Sequence, residues 1–232
     1  MAIMEYDKQK KVPESESLGL YWKLCGNNGH LTKDRIEDED LPVLLNYLSH
    51  SSCISMLDLR FNKLEDGSAK AIATFLRGDK LLQELNLQGN EITDAGVKFI
   101  AESLVSNDTL MILKMGGNPI GAIGSLHLAH ALQLNRTLEY LDIGETSSNV
   151  DGWIALCTVL KNNHAVLGLN LSRPLLYTAQ EEHVVHVQDM LAINKTLKAL
   201  HLSKAHITDF GACRLSEALL RNSSLELLDI SA

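Results

Sequence analysis

Two histidine pairs, His127 with His130 and His183 with His186, stand three residues apart, a spacing that sets both imidazoles of a pair on one face of a helix. Each pair offers two metal ligands, and no cysteine or carboxylate completes a set by spacing, so neither a metal nor a cofactor is expected. The four cysteines, Cys25, Cys53, Cys157 and Cys213, carry no CxxC spacing and read as free thiols in a reducing compartment, with Cys157 at a small-residue core position. The sequence holds no glycine-rich phosphate loop after a strand, no G-x-S-x-G elbow and no H-E-x-x-H pair, so nothing points to an enzyme. Recognition chemistry remains. Asp58, Arg60, Phe61, Lys114, Tyr140, Asp142, Glu145, Arg173 and His201 are the candidate partner-binding residues, and arginine and tyrosine are frequent anchors of protein interfaces. These residues act together only if the fold sets them on one surface.

A chain of 232 residues with 45% hydrophobic content can bury a substantial core. Its net charge of −8 excludes nucleic acid as the principal ligand, because phosphate contacts need clustered lysine and arginine. A basic or mixed-charge protein suits it better as a partner. No apolar run is long enough to span a bilayer, and the start, MAIMEYDKQKKVPESES, is charged where a signal peptide needs its apolar stretch. An intracellular location, cytoplasmic or nuclear, is expected, with no membrane partner.

The elements that must position the candidates repeat along the chain. Leu31, Leu59, Leu87, Met115, Ile143, Leu171, Leu202 and Ile230 fall 28 residues apart at every step except one of 31, from Leu171 to Leu202. The first half of a unit reads L-x-x-L-x-L-x-x-N-x-L, as in Leu82, Leu85, Leu87, Asn90 and Ile92, and its alternating apolar residues predict a short strand with one face buried. The second half carries an apolar stripe at helical spacing, with Ile72, Ala73 and Leu76 matched by Ile100, Ala101 and Leu104, by Leu128, Ala129 and Leu132, and by Leu156, Cys157 and Leu160. Asp66, Asp94, Asp151 and Asp209 at or next to the helix starts are expected to cap free N–H groups there. One unit cannot cover its own apolar face, so the units must stack. Seven parallel strands at about 4.8 Å would make an inner face roughly 30 Å long, with the helices outside.

The L-x-x-L-x-L-x-x-N-x-I unit followed by a D-x-G-A helix resembles the ribonuclease-inhibitor-like subfamily of leucine-rich repeats, from about residue 30 onward. The resemblance implies an α/β fold: a right-handed horseshoe solenoid with parallel strands on the concave face and helices on the convex face. It implies a non-enzymatic scaffold that binds a protein through the concave face and the loops rising from it. Two alternatives come with the subfamily, a regulator of a small GTPase of the Ran GTPase-activating type and a ciliary or axonemal component. The first lacks support from the long acidic C-terminal segment typical of those proteins.

On this register the residues alternating with the core leucines form three columns on the strand face. The first runs Met56, Glu84, Ile112, Tyr140, Gly168, Ala199 and Leu227; the second Asp58, Asn86, Lys114, Asp142, Asn170, His201 and Asp229; the third Arg60, Gln88, Gly116, Gly144, Ser172, Ser203 and Ser231. Asn62, Asn90 and Asn118 are expected to satisfy backbone groups of neighbouring turns, a ladder that Thr146, Pro174 and Ala205 cannot continue unchanged. The altered loops around Arg173 to His183 are a candidate contact site. Asn107, Asn135, Asn194 and Asn222 fall in N-x-[ST] matches at one repeat position just before a strand and read as a turn device with left-handed backbone rather than as glycosylation sites. By domain, residues 1–17 read as a flexible tail, 18–53 as a degenerate capping repeat and 54–232 as leucine-rich repeats with the last incomplete. The close at LELLDISA, a strand without its covering helix, suggests a piece of a longer solenoid or an edge that self-associates.

Overall fold

The computed structural model describes residues 20–23, 35–51, 53–174 and 181–231, with residues 20–23 as backbone. The expected tail, Cys25, Leu31, Asp34 and residues 175–180 of the irregular unit lie outside the described residues. Strand and helix alternate along the chain: β1 (Leu20–Lys23), α1 (Leu41–Ser49), β2 (Ile54–Asp58), α2 (Asp66–Gly78), β3 (Glu84–Asn86), α3 (Asp94–Leu104), β4 (Ile112–Lys114), α4 (Ala122–Leu134), β5 (Tyr140–Asp142), α5 (Val150–Leu160), β6 (Gly168–Asn170), α6 (Glu182–Ile193), β7 (Ala199–His201), α7 (Asp209–Leu219) and β8 (Leu227–Asp229). The strands form one eight-stranded sheet in chain order, and every pair is parallel.

The sheet has one strand more than the spacing predicts. β1 pairs with β2 through Tyr21 beside Met56 and Lys23 beside Asp58, well ahead of where the 28-residue register would put a strand. The register resumes at Ile36, whose N–H donates to Asn62 Oδ1 (3.0 Å) and whose carbonyl accepts from Lys63 N (3.0 Å). From there the units follow the expected spacing.

The core lies between the sheet and the helix row. Leu57, Leu85, Leu113, Leu141, Leu169 and Leu200 point inward from successive strands, are at most 1% exposed and belong to one hydrophobic cluster with the helical stripes. Full burial of one leucine is worth about 1.5–3 kcal/mol. Neighbouring helices approach closely where glycine leaves room. A side chain at Gly96 would meet Asp66 Oδ1 at 2.4 Å and Ala69 Cβ at 2.9 Å, so α3 can lie this near α2 only with hydrogen at that position.

Two of the four helix-start aspartates, Asp66 and Asp94, act one repeat further on than expected. Asp66 accepts from Thr93 N (2.8 Å), Thr93 Oγ1 (2.7 Å) and Gly96 N (2.9 Å), so it caps α3 rather than its own helix. Asp94 takes Gly121 N (2.6 Å) and Gly124 N (2.8 Å) at the start of α4, and Glu181 takes Thr208 N (2.9 Å) at α7. The physical reason is stacking: the free N–H groups of one helix face the carboxylate of the preceding unit, and each such bond ties two repeats together. Asp151 instead accepts from Asn149 Nδ2 (3.2 Å) within its own unit.

Two asparagine ladders complete the framework. Asn90 Nδ2 donates to the carbonyls of Leu59 (3.1 Å) and Leu87 (2.8 Å) while Oδ1 accepts Leu64 N (3.2 Å). Asn118 repeats the pattern with Leu87, Met115 and Ile92. Thr146 donates only to the Ile143 carbonyl of its own turn (2.8 Å), so the first ladder stops there. The second ladder runs through Asn107, Asn135, Asn163, Asn194 and Asn222. Asn135 Nδ2 reaches back to the Leu104 carbonyl (2.8 Å) and Oδ1 accepts Leu138 N (2.8 Å). Its backbone is extended (φ −68°, ψ 139°), as is that of Asn194 (φ −64°, ψ 135°), which corrects the expected left-handed turn. The asparagine is selected for its buried side-chain amide, which a left-handed backbone would not explain.

Among the described residues no helix is long and apolar enough to cross a membrane. Cys53, Cys157 and Cys213 are free thiols. Burial pushes the Cys157 thiol up to about 12, which keeps it protonated and unreactive.

Candidate interaction surface

The strand pairing sets two of the three columns in register, and the third lies just beyond the strand ends. Met56, Glu84, Ile112, Tyr140, Gly168, Ala199 and Leu227 are Cα partners in sequence across the sheet, and so are Asp58, Asn86, Lys114, Asp142, Asn170, His201 and Asp229. The candidates Asp58, Arg60, Lys114, Tyr140, Asp142 and His201 therefore share one face, and Phe61, Glu145 and Arg173 sit on the loops that leave it.

The second column is more deeply sunk than alternation alone predicts, with Asp58, Asn86, Asp142 and His201 buried. Its short polar side chains turn back on the chain. Asp58 Oδ1 accepts Arg60 N (3.2 Å), Asn86 Oδ1 accepts Gln88 N (3.1 Å), Asp142 Oδ1 accepts Gly144 N (2.9 Å), Asn170 Oδ1 accepts Ser172 N (2.9 Å) and Asp229 Oδ1 accepts Ser231 N (3.0 Å). Each is an Asx turn that bends the chain out of its strand. Sequence reasoning took Asp58 and Asp142 as contact residues and missed this second role, although the recurrence of Asp or Asn in the column was its signal. Lys114 and His201 are the exceptions, and both carry ionic contacts instead.

Opposite charges on the face pair within and across repeats. Arg60 Nε lies 3.2 Å from Asp58 Oδ2, Lys114 Nζ 2.8 Å from Glu84 Oε1, and Arg173 donates to Glu145 Oε1 at 2.7 Å. The Lys114–Glu84 pair is shielded from solvent, with side chains 19% and 14% exposed, whereas the Arg173–Glu145 pair is over half exposed and adds little to stability. His201 Nδ1 is 3.8 Å from Asp229 Oδ2. Hydrogen bonds from Ser231, chiefly its backbone N–H, hold the Asp229 carboxyl below its ordinary value. Asp142 differs: burial pushes its carboxyl up, against bonds from Gly144 and Asn170 and the field of Lys114.

The loop candidates share an unusual backbone. Phe61 (φ 59°), Glu145 (φ 56°), Arg173 (φ 52°) and Lys204 (φ 56°) are left-handed, at the repeat position where Gly89 (φ 63°) and Gly117 (φ 69°) also stand. For a residue with a side chain this conformation costs roughly 1–2 kcal/mol. The N–H groups at this position hold it in place by donating to the next repeat: Phe61 to Gln88 O (2.8 Å), Glu145 to Ser172 O (2.7 Å) and Arg173 to Ser203 O (2.8 Å). These side chains thus leave from a rigid rim. The Phe61 ring lies over Gly89, where an added Cβ would meet it at 2.4 Å, and the Tyr140 ring covers Gly168 in the same way at 2.5 Å. Phe61 nonetheless remains 47% exposed.

The histidine pairs do not build a metal site. Among the described residues no group of three His, Cys, Asp or Glu could hold an ion. His183 is buried, its Nε2 lies 3.3 Å from the Ala205 carbonyl, and its ring meets Trp153 edge-on with centroids 5.1 Å apart. Burial lowers its pKa, so the imidazole is neutral at physiological pH.

Known proteins agree with this geometry. A family model described as Leucine Rich repeat matches residues 50–73, 79–101 and 194–213. Leucine-rich repeat-containing protein 34 of Mus musculus is 47% identical over 78 residues, 34% of this chain and 19% of that protein. The Homo sapiens protein of the same name is 51% identical over 63 residues, 27% of this chain and 14% of its own length. The matches thus span less than a fifth of these curated relatives. Among solved structures, leiomodin-1 actin-binding site 2 superposes with a TM-score of 0.56 at 17% identity, covering 64% of this chain and 86% of that one. The tropomodulin C-terminal domain of Caenorhabditis elegans gives 0.57 at 14% identity, covering 66% and 92%. Identities this low carry the fold alone. The chain is a solenoid of leucine-rich repeats, with parallel strands on one face and helices on the other.

Proposed function

We propose that this leucine-rich-repeat protein is a non-enzymatic intracellular scaffold that holds a protein partner on its strand face and on the loops rising from it. The observation that supports the reading is the rigid rim. Phe61, Glu145 and Arg173 are held in costly left-handed backbone by bonds to the next repeat, above a face that also carries Arg60, Lys114 and Tyr140. A loop backbone fixed before binding need not be ordered on contact, which is what a specific protein interface needs. A core demands no aromatic or guanidinium group on that side, since the leucines of the opposite strand face already fill it. The names of the relatives state a repeat and no catalytic activity.

Affinity capture from cell extract, with mass spectrometry, tests the reading when the wild type is compared with a variant carrying Arg60→Ala, Tyr140→Ala and Arg173→Ala. All three side chains stand outside the leucine core, so the variant should keep its circular dichroism and a cooperative melt, at a temperature lowered by loss of the Arg60 cation beside Asp58 and of the Tyr140 ring over Gly168. The expected result is a protein retained by the wild type and lost by the folded variant. Retention of the same proteins by both would refute the assignment of the strand face. Purified actin belongs among the direct tests, because one fold neighbour is named as an actin-binding site.

A further inference from the structure

We propose that the groove beside Asp142 receives one basic side chain of the partner, an arginine or lysine whose cation pairs with the Asp142 carboxylate. The inference rests on the reading of the strand face as the partner surface and adds the chemistry of its central contact.

Asp142 is 5% exposed and carries three neutral contacts, from Gly144 N (2.9 Å), from Gln88 Nε2 (2.8 Å) and from the Asn170 amide. Among the described residues no cation lies within salt-bridge distance of it. Lys114, its neighbour in the adjacent strand, turns its ammonium to Glu84, and His201 turns to Asp229. The other inner-face carboxylates, Asp58, Glu84, Glu145 and Asp229, each have a basic group within 3.8 Å. A buried carboxylate without a cation is costly, and an incoming cation is the group that would offset that cost.

The surroundings give such a cation a place. Asp142 lines a groove of about 420 Å³ together with Phe61, Gly116, Gly117, Gly144 and Glu145. Gly116 and Gly144 of this lining occupy the third column where the larger Arg60 and Gln88 stand in earlier repeats. An added Cβ at Gly116 would meet the Gly144 carbonyl at 2.9 Å and Asp142 Oδ1 at 3.1 Å. Its lining also holds the Phe61 ring, a surface on which a guanidinium stacks, and Glu145, a second carboxylate.

A clean variant is available. Asn86 and Asn170 hold the same register place as Asp142 and make the same turn bond, so Asp142→Asn keeps the turn and removes the charge, with Gln88 turning its amide oxygen to the new amide group. The experiment is selection of a random displayed peptide library on the whole chain, followed by binding of the enriched peptides to wild type, Asp142→Asn and the triple variant of the preceding section. The inference expects enriched peptides to share a lysine or arginine and to lose about tenfold or more in affinity against Asp142→Asn. Peptides that the triple variant loses but that lack a basic residue, or bind Asp142→Asn unchanged, would overturn the inference and leave the strand-face reading standing. Peptides indifferent to every variant, or no enrichment at all, would count against both.

Discussion

Asn118→Ala lowers the unfolding free energy by about 4 kcal/mol and costs more than Asn90→Ala, although both remove a buried asparagine from the same repeat position. The difference follows from where the ladder ends. In Asn90→Ala the Leu87 carbonyl still accepts from Asn118 Nδ2 (2.8 Å) and the Leu59 carbonyl from Asn62 Nδ2 (2.8 Å), so the Leu64 N–H is the main group orphaned. In Asn118→Ala the Ile92 N–H and the Met115 carbonyl both lose the partner they had, because Thr146 bonds its own turn and never reaches back to Met115. Each buried polar group left unpaired costs about 1–3 kcal/mol. Urea denaturation of the two variants measures the ranking, and a loss below about 1 kcal/mol for Asn118→Ala would show that water replaces the amide at no cost.

Trp153→Ala costs about 4 kcal/mol, while Trp153→Phe costs much less. Position 153 matches Ala69, Val97 and Ser125 of the preceding helices at 28-residue spacing, so a small residue is the norm there. Trp153 breaks that norm in the unit just before the one that lengthens to 31 residues, and its fully buried indole meets the His183 ring of that longer unit at right angles. Among the described residues neither Trp153 Nε1 nor His183 Nδ1 has a hydrogen-bond partner, so packing and the ring contact hold the pair, together with the His183 Nε2 contact to the Ala205 carbonyl. Deleting the indole leaves a void between α5 and α6 that rigid neighbouring repeats cannot close. Hydrogen exchange should locate the lost protection in α5 and α6, and a uniform loss over all helices would contradict this local account.

The repeat was legible because each strand and helix of a unit buries the same few positions, and burial leaves a periodic trace in leucine. The same periodicity placed the first two columns in the register that the strands adopt, since alternation along a strand admits only two faces. Links between repeats left no such trace. Asp66 has the look of a cap for α2, and only the stacked structure brings α3 within its reach. The asparagine before each strand has a local reading as a left-handed residue, whereas its amide nitrogen reaches a carbonyl 31 residues back, as in Asn107 to Leu76, and only its oxygen bonds locally. The first strand escaped notice because the segment from β1 to β2 departs from the 28-residue spacing that identified all the others. Within the candidate surface, residue types pointed to Asp142 and Phe61, but burial of the one and left-handed backbone of the other are properties of the assembled face.

The most direct measurement of the central claim is site-specific photocrosslinking in cells, with a photoreactive residue placed at Tyr140 on the strand face or at Lys98 on the outer side of α3. Tyr140 stands in the first column of the face, and Lys98 is exposed on the helix row. The account predicts a discrete crosslinked protein from position 140 and none of that mass from position 98. The same adduct from position 98 with none from position 140 would place the partner on the helices and contradict the account.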